Sequence, residues 1–148
     1  MSALWDGRFL TLANQIGSWS KDTGAKVGAV IVDPKRRIVS VGYNGFPQGV
    51  DDSNEIIANR EVKLLRTIHA EENAILFARR DLDGCSIYVN YPPCAKCAAK
   101  IIQVGITDVY SITPDAAFLA NWKTELDQAH SLFVEAGVNR RMLMGTFK

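Results

Sequence analysis

Residues 86–112, Ser-Ile-Tyr-Val-Asn-Tyr-Pro-Pro-Cys-Ala-Lys-Cys-Ala-Ala-Lys-Ile-Ile-Gln-Val-Gly-Ile-Thr-Asp-Val-Tyr-Ser-Ile, decide the fold. Ser86 to Asn90 is a short β-rich run, Cys94 to Val104 a helix ended by Gly105, and Thr107 to Ile112 a second β-rich run. Strand, helix and strand at this spacing make a crossover unit, whose strands run parallel in one sheet with the helix on its face.

Upstream, Val27 to Val32 and Ile38 to Tyr43 flank Asp33-Pro34-Lys35-Arg36-Arg37 and read as an antiparallel hairpin with a longer loop. Before it, Trp5, Phe9, Leu12, Ala13 and Ile16 recur at helical spacing from Trp5 to about Ser18, and the polar turn Ser20 to Gly24 follows. After it, Asn44-Gly45-Phe46-Pro47-Gln48-Gly49 is too rich in turn formers for a regular element, and Asp51, Asp52 and Ser53 prolong the loop. A helical pattern then runs from Asn59 to Arg80. The β-branched pair Thr67-Ile68 weakens it, which places His69 at the start of a second helix. Trp122 to Ala136 is a last helix stopped by Gly137, and the tail from Asn139 suits an edge strand. The whole is an α/β fold: a mixed sheet of about five strands, layered by helices.

The 148 residues, 47% of them apolar, suffice for one sizeable core. No repeat, low-complexity tract or linker divides them, so a single domain over residues 1–148 is expected. Seventeen Lys plus Arg against 16 Asp plus Glu leave a net charge of +1. Because the two signs are interspersed, there is no broad basic field for a nucleic-acid backbone. A small anionic substrate needs only one or two local cations. Met1 to Phe9 contains Asp6 and Arg8 and no apolar run suited to a signal or a membrane span, so a cytoplasmic protein is expected. In that setting Cys94 and Cys97 read as a metal-binding pair rather than a disulfide.

Two short motifs carry the chemistry: His69-Ala70-Glu71 and Pro93-Cys94-Ala95-Lys96-Cys97. Zinc takes imidazole nitrogen and thiolate sulfur in a tetrahedron, and a catalytic site leaves one position for water. His69, Cys94 and Cys97 supply three donors. A helix start just after Pro93 favours thiolates through its dipole and free N–H groups. Glu71, two residues from a donor, is placed to take a proton from water, deliver it to a ring nitrogen and assist the departure of ammonia. Singly, each motif has a bland reading: a surface or core histidine, a structural or redox Cys-x-x-Cys, a solvated glutamate. Together and in this order they form the signature of zinc nucleobase deaminases. His130 and Cys85, the other possible donors, read as structural residues.

Further stretches carry a resemblance: Ser20-Lys21-Asp22, Lys26-Val27-Gly28-Ala29-Val30-Ile31-Val32, Gly42-Tyr43-Asn44-Gly45-Phe46-Pro47, His69-Ala70-Glu71-Glu72-Asn73-Ala74-Ile75 and Ala98 to Gly105. Over most of its length the chain resembles the deoxycytidylate deaminases of the cytidine deaminase superfamily, and the Gly-Tyr-Asn-Gly-x-Pro loop points to that branch. The resemblance implies a three-layer α/β/α fold, one catalytic Zn2+ on His69, Cys94 and Cys97, and Glu71 as proton shuttle. It also implies Asn44 on the sugar or base and the Ala70 N–H on the base's O2. Asn44 has a local alternative, since asparagine suits tight turns without any ligand. For the phosphate, Lys21 is the leading contact, with Arg60, Lys63 and Arg66 as competitors.

Relatives of this kind are oligomers, often hexamers, and many respond to dCTP and dTTP, a triphosphate effector bringing Mg2+ with it. Such a site here would include Gly42, Tyr43, Gly45 and Asp51. Some relatives carry extra cysteines before the His-Ala-Glu motif and a second zinc. This chain has none there, so one zinc is expected. The implied reaction is hydrolysis of deoxycytidine monophosphate to deoxyuridine monophosphate and ammonia, feeding thymidylate synthesis. Another cytosine nucleotide, a tRNA adenosine deaminase and a catalytically silent nucleotide sensor are the rival readings. Near-neutral charge disfavours the tRNA enzyme, and an intact Glu71 disfavours the sensor.

Overall fold

A computed structural model describes residues 2–147. In chain order these form α1 (Ala3–Gly17), β1 (Gly28–Val32), β2 (Ile38–Tyr43), α2 (Asn54–Ala58), α3 (Arg60–Arg66) and α4 (Ala70–Ala78). They continue with β3 (Ser86–Val89), α5 (Ala95–Gln103), β4 (Asp108–Ile112), α6 (Ala116–Asn121), α7 (Lys123–Ala136) and β5 (Asn139–Leu143).

The strands make one mixed sheet in the order β2-β1-β3-β4-β5. Strand β1 is antiparallel to both β2 and β3, pairing Gly28 with Tyr43 and Ala29 with Val89. From β3 outward the sheet is parallel, Ser86 facing Asp108 and Asp108 facing Asn139. The crossover at 86–112 is therefore present, and the tail does add the edge strand.

Alternation along the strands sorts the core into two layers. Ala29, Ile31, Ile87, Val89 and Val109 pack with Ala70 and Ala74 of α4, Ala98 and Ile101 of α5, and Ala129 and Phe133 of α7. On the opposite face Val30, Val32, Tyr88 and Tyr110 pack with Phe9, Leu10 and Ala13 of α1. The result is three layers, α1 on one side of the sheet and α4, α5 and α7 on the other. Gly42 sets the spacing of β2 and α4. A Cβ there would lie 2.5 Å from both the Ala70 carbonyl oxygen and the Ala74 nitrogen, closer than any side chain tolerates.

The helical stretch 59–80 divides at Thr67-Ile68 as expected, into α3 and α4, and Asn59 caps α3 by accepting from the Val62 N–H at 3.2 Å. The chain leaves the helical path at Thr67, and Ile68 bridges to Gly45 before α4 begins. Two short helices, α2 and α6, occupy stretches that carry no helical expectation. Asp115 starts α6 by accepting from the Phe118 N–H at 2.8 Å.

Candidate active site

The break at Thr67-Ile68 assembles the site. Ile68 and Gly45 exchange backbone hydrogen bonds of 2.8 and 3.1 Å, which draws the loop after β2 against the start of α4 and puts Asn44 on the same cavity as His69. His69 is the residue before α4, and Cys94, preceded by buried Pro93, is the residue before α5. Both helix starts present unpaired N–H groups and a favourable dipole for negative charge.

The donor atoms of His69, Cys94 and Cys97 lie within 4.8 Å of one another, the one such group among the described residues. Nδ1 of His69 is 3.2 Å from the Cys97 sulfur and 3.6 Å from the Cys94 sulfur. A tetrahedral zinc, about 2.0 Å from nitrogen and about 2.3 Å from sulfur, spaces such donors about 3.6 Å apart. The group thus fits zinc, with Nδ1 as the facing nitrogen and three protein donors, the number typical of catalytic sites. His130 and Cys85 stand apart from it. His130 is exposed beside Arg140, and Cys85 is buried in the core.

The protons of the cluster follow its geometry. Hydrogen bonding from Cys97, then from His69, brings the Cys94 thiol down to about 4. Its thiolate in turn raises Cys97 and His69. Glu71, in the first turn of α4, is buried, and burial pushes its carboxyl up to about 7, with the Cys94 thiolate adding to the effect. A carboxyl near neutrality can both accept and return a proton, as general acid–base chemistry requires.

Glu72 bridges the two helices. It accepts from the His69 N–H at 2.9 Å with one oxygen and from Lys100 Nζ of α5 at 2.6 Å with the other. Burial works to raise this carboxyl, and the contacts with Lys100 and His69 together outweigh it and hold it below its ordinary value.

His69, Ala70, Glu71 and Cys94 open on a cavity of about 410 Å3. Asn44 is on its wall, buried, with Oδ1 accepting from the Val27 N–H at 2.9 Å and Nδ2 donating to the Ala25 carbonyl at 3.0 Å. These bonds leave one N–H and one lone pair of the amide for a ligand. Lys21 does not line this cavity. It pairs with Asp52 at 3.2 Å on the exposed surface, whereas Arg60 and Lys63 of α3 line the cavity. Lys63 is half-buried and paired with Asp22 at 3.0 Å. Arg66 is exposed and outside the cavity lining.

The four residues expected at an effector site do not share one recess. Gly42 is consumed in packing against α4, and exposed Asp51 accepts from the Ser53 N–H. Tyr43 and Gly45 line a depression of about 120 Å3 with Trp19 and Asp52, well below the about 300–1,000 Å3 of small-molecule sites.

Sequence reasoning missed the aromatic wall. Tyr91, Phe118 and Trp122 line the catalytic cavity, their rings 5.2 and 6.0 Å apart in succession. The signal present was Pro114-Asp115, a capping pair, followed by apolar Phe118 and Trp122 one turn apart.

Comparison with known proteins places this geometry. Residues 3–113 match the family model of the cytidine and deoxycytidylate deaminase zinc-binding region. An uncharacterized deaminase from the luxG 3' region of Aliivibrio fischeri is 51% identical over 138 residues, covering 93% of this chain and 92% of that protein. Human deoxycytidylate deaminase is 36% identical over 146 residues, covering 93% of this chain and 78% of that one. Among solved structures, the dCMP deaminase of cyanophage S-TIM5 in complex with dCMP and dUMP superposes with a TM-score of 0.77 at 22% identity. That match covers 97% of this chain and 99% of that one, and it establishes the common fold. The chain belongs to the cytidine and deoxycytidylate deaminase family.

Proposed function

We propose that this protein hydrolyses deoxycytidine monophosphate to deoxyuridine monophosphate and ammonia, working as one domain over residues 1–148 with one zinc held by His69, Cys94 and Cys97. The carrying observation is the convergence of those three donors on one another, with His69 and Cys94 of the group opening beside buried Glu71 on a single cavity. Human deoxycytidylate deaminase, at 36% identity, supports the choice of substrate.

Bound zinc would supply Lewis acidity, which brings water near ionisation at neutral pH. Glu71 takes the water proton and passes it to N3 of the base, then takes the proton remaining on the new C4 hydroxyl and delivers it to the departing amine. The bond from C4 to nitrogen is replaced by one from C4 to oxygen, and ammonia leaves. The Ala70 N–H, in the first residue of α4 and without a carbonyl partner inside the helix, holds the base O2. The remaining hydrogen-bonding capacity of Asn44 holds the sugar. Lys63 and Arg60 take the phosphate, in place of Lys21.

Further parts of the reading are a homo-oligomer, with a hexamer favoured, a cytoplasmic location and a role in pyrimidine nucleotide supply. Regulation by dCTP or dTTP with Mg2+ would need a site completed by a second copy, because the depression at Tyr43 and Gly45 is too small alone. Among the described residues no helix is long and apolar enough to cross a membrane.

The test is ammonia release from cytosine, cytidine, deoxycytidine and their mono- and triphosphates, with and without dCTP or dTTP and Mg2+. The expected result is preference for dCMP. Preference for an unphosphorylated compound would overturn the substrate and leave the chemistry standing.

A further inference from the structure

Two asparagines do the same thing on opposite edges of one strand. By the register of the sheet, Asn44 is the residue after β2 that faces Val27, and Asn90 the residue after β3 that faces Gly28. In a hydrogen-bonded antiparallel pair each residue gives its N–H and its carbonyl to the residue opposite. Here each asparagine gives its backbone N–H, Asn44 to the Val27 carbonyl at 3.2 Å and Asn90 to the Gly28 carbonyl at 3.3 Å. The side-chain oxygen then stands in for the backbone carbonyl. Asn44 Oδ1 accepts from the Val27 N–H and Asn90 Oδ1 from the Gly28 N–H, both at 2.9 Å. Each Nδ2 reaches one carbonyl further, Asn44 to Ala25 and Asn90 to Lys26, both at 3.0 Å.

The ladder is thereby extended past the ends of β2 and β3. The Asn44 carbonyl is released to accept from the Ser20 hydroxyl at 2.7 Å, and both chains are free to turn out of the sheet. They turn toward the site: after Asn90 come Tyr91, Pro92, Pro93 and Cys94, and after Asn44 the loop that Gly45 ties to Ile68. The clamped segment carries Ala25 and Val27, which line the catalytic cavity.

We propose that Asn90 is a positioning residue for substrate binding, holding Ala25 to Gly28 as a fixed cavity wall jointly with Asn44. This rests on the reading that the cavity beside Glu71 receives the substrate. Asn90 itself lies outside that cavity's lining and acts through the segment it clamps. Serine or threonine cannot replace it fully, since a single hydroxyl cannot reach the Gly28 N–H and the Lys26 carbonyl as an amide does.

The test compares the zinc-loaded parent with Asn90→Ala by residue-resolved amide exchange and by steady-state kinetics on the best substrate of the panel above. The informative amide is Val27, which Asn90 does not touch. Joint clamping predicts that its exchange accelerates at least tenfold, that KM rises about tenfold, and that kcat stays within about threefold with zinc still at one per chain. Exchange faster at Gly28 alone, or a fall in kcat with KM unchanged, would overturn the proposal. Should the alanine variant not fold, Asn90→Thr is read on the same measurements, with smaller shifts in the same direction. A parent inactive on every cytosine compound would refute the proposed function, and the Val27 amide would still decide whether the clamp holds the wall.

Discussion

At the scale of single residues, Glu71 is a carboxyl buried in the first turn of α4 beside the Cys94 thiolate. Replacing it by glutamine keeps its size and removes its ability to carry a proton. We expect E71Q to retain one zinc and the parent's fold while losing about 10²–10⁴ in kcat. Parental ammonia release by a zinc-loaded E71Q would end its assignment as shuttle. Burial also gives Glu71 a signature in stability. Its carboxyl is raised from 4.5 to about 7, so its contribution is complete below about 4.5 and is lost as pH rises through about 7, on the order of 3 kcal/mol in all. In chelator-stripped protein, urea midpoints at pH 5 and pH 8 should differ more for the parent than for E71Q. Equal differences would mean that the carboxyl is not buried as described.

At the scale of elements, much of the site was legible because its motifs fall on helix starts, where local chemistry is strong. The weakness at Thr67-Ile68 and the stop at Pro93 both placed donors correctly at helix N-termini. Gly137, with φ of 72° in the left-handed region, ended α7 where a glycine stop was expected. Less was legible where tertiary contacts decide. The Arg60, Lys63 and Lys21 side chains look alike in sequence, and only the packing of α3 beside the cavity separates them. Helix α6 is six residues long, too short for periodicity to reveal, so its aromatic contribution went unseen. Trp122→Ala should therefore raise KM for the nucleotide severalfold with little change in zinc content; an unchanged KM would remove the aromatic wall from substrate binding. The contact between β2 and α4 gives a sharper prediction. Gly42→Ala forces a Cβ onto the helix backbone, and such overpacking costs about 1–3 kcal/mol. A denaturation midpoint equal to the parent's would show that the two elements can part without loss.

At the scale of the whole molecule, the helices α3 and α4 leave Leu64, Leu65, Leu76 and Phe77 between 60% and 82% exposed. Exposed apolar patches of this kind commonly mark contact surfaces, which agrees with the proposed oligomer. Sedimentation of the parent should give an assembly, and the double variant L65E/F77E should shift it to smaller species; identical sedimentation would place the interface elsewhere. The chain order of the fold has a further consequence during synthesis. His69, Glu71, Cys94 and Cys97, with the starts of α4 and α5 that carry them, all precede the aromatic residues Phe118 and Trp122 and the edge strand β5. On the ribosome the metal-gripping half emerges first, so an ion can be captured by the nascent chain before the substrate chamber has been closed around it.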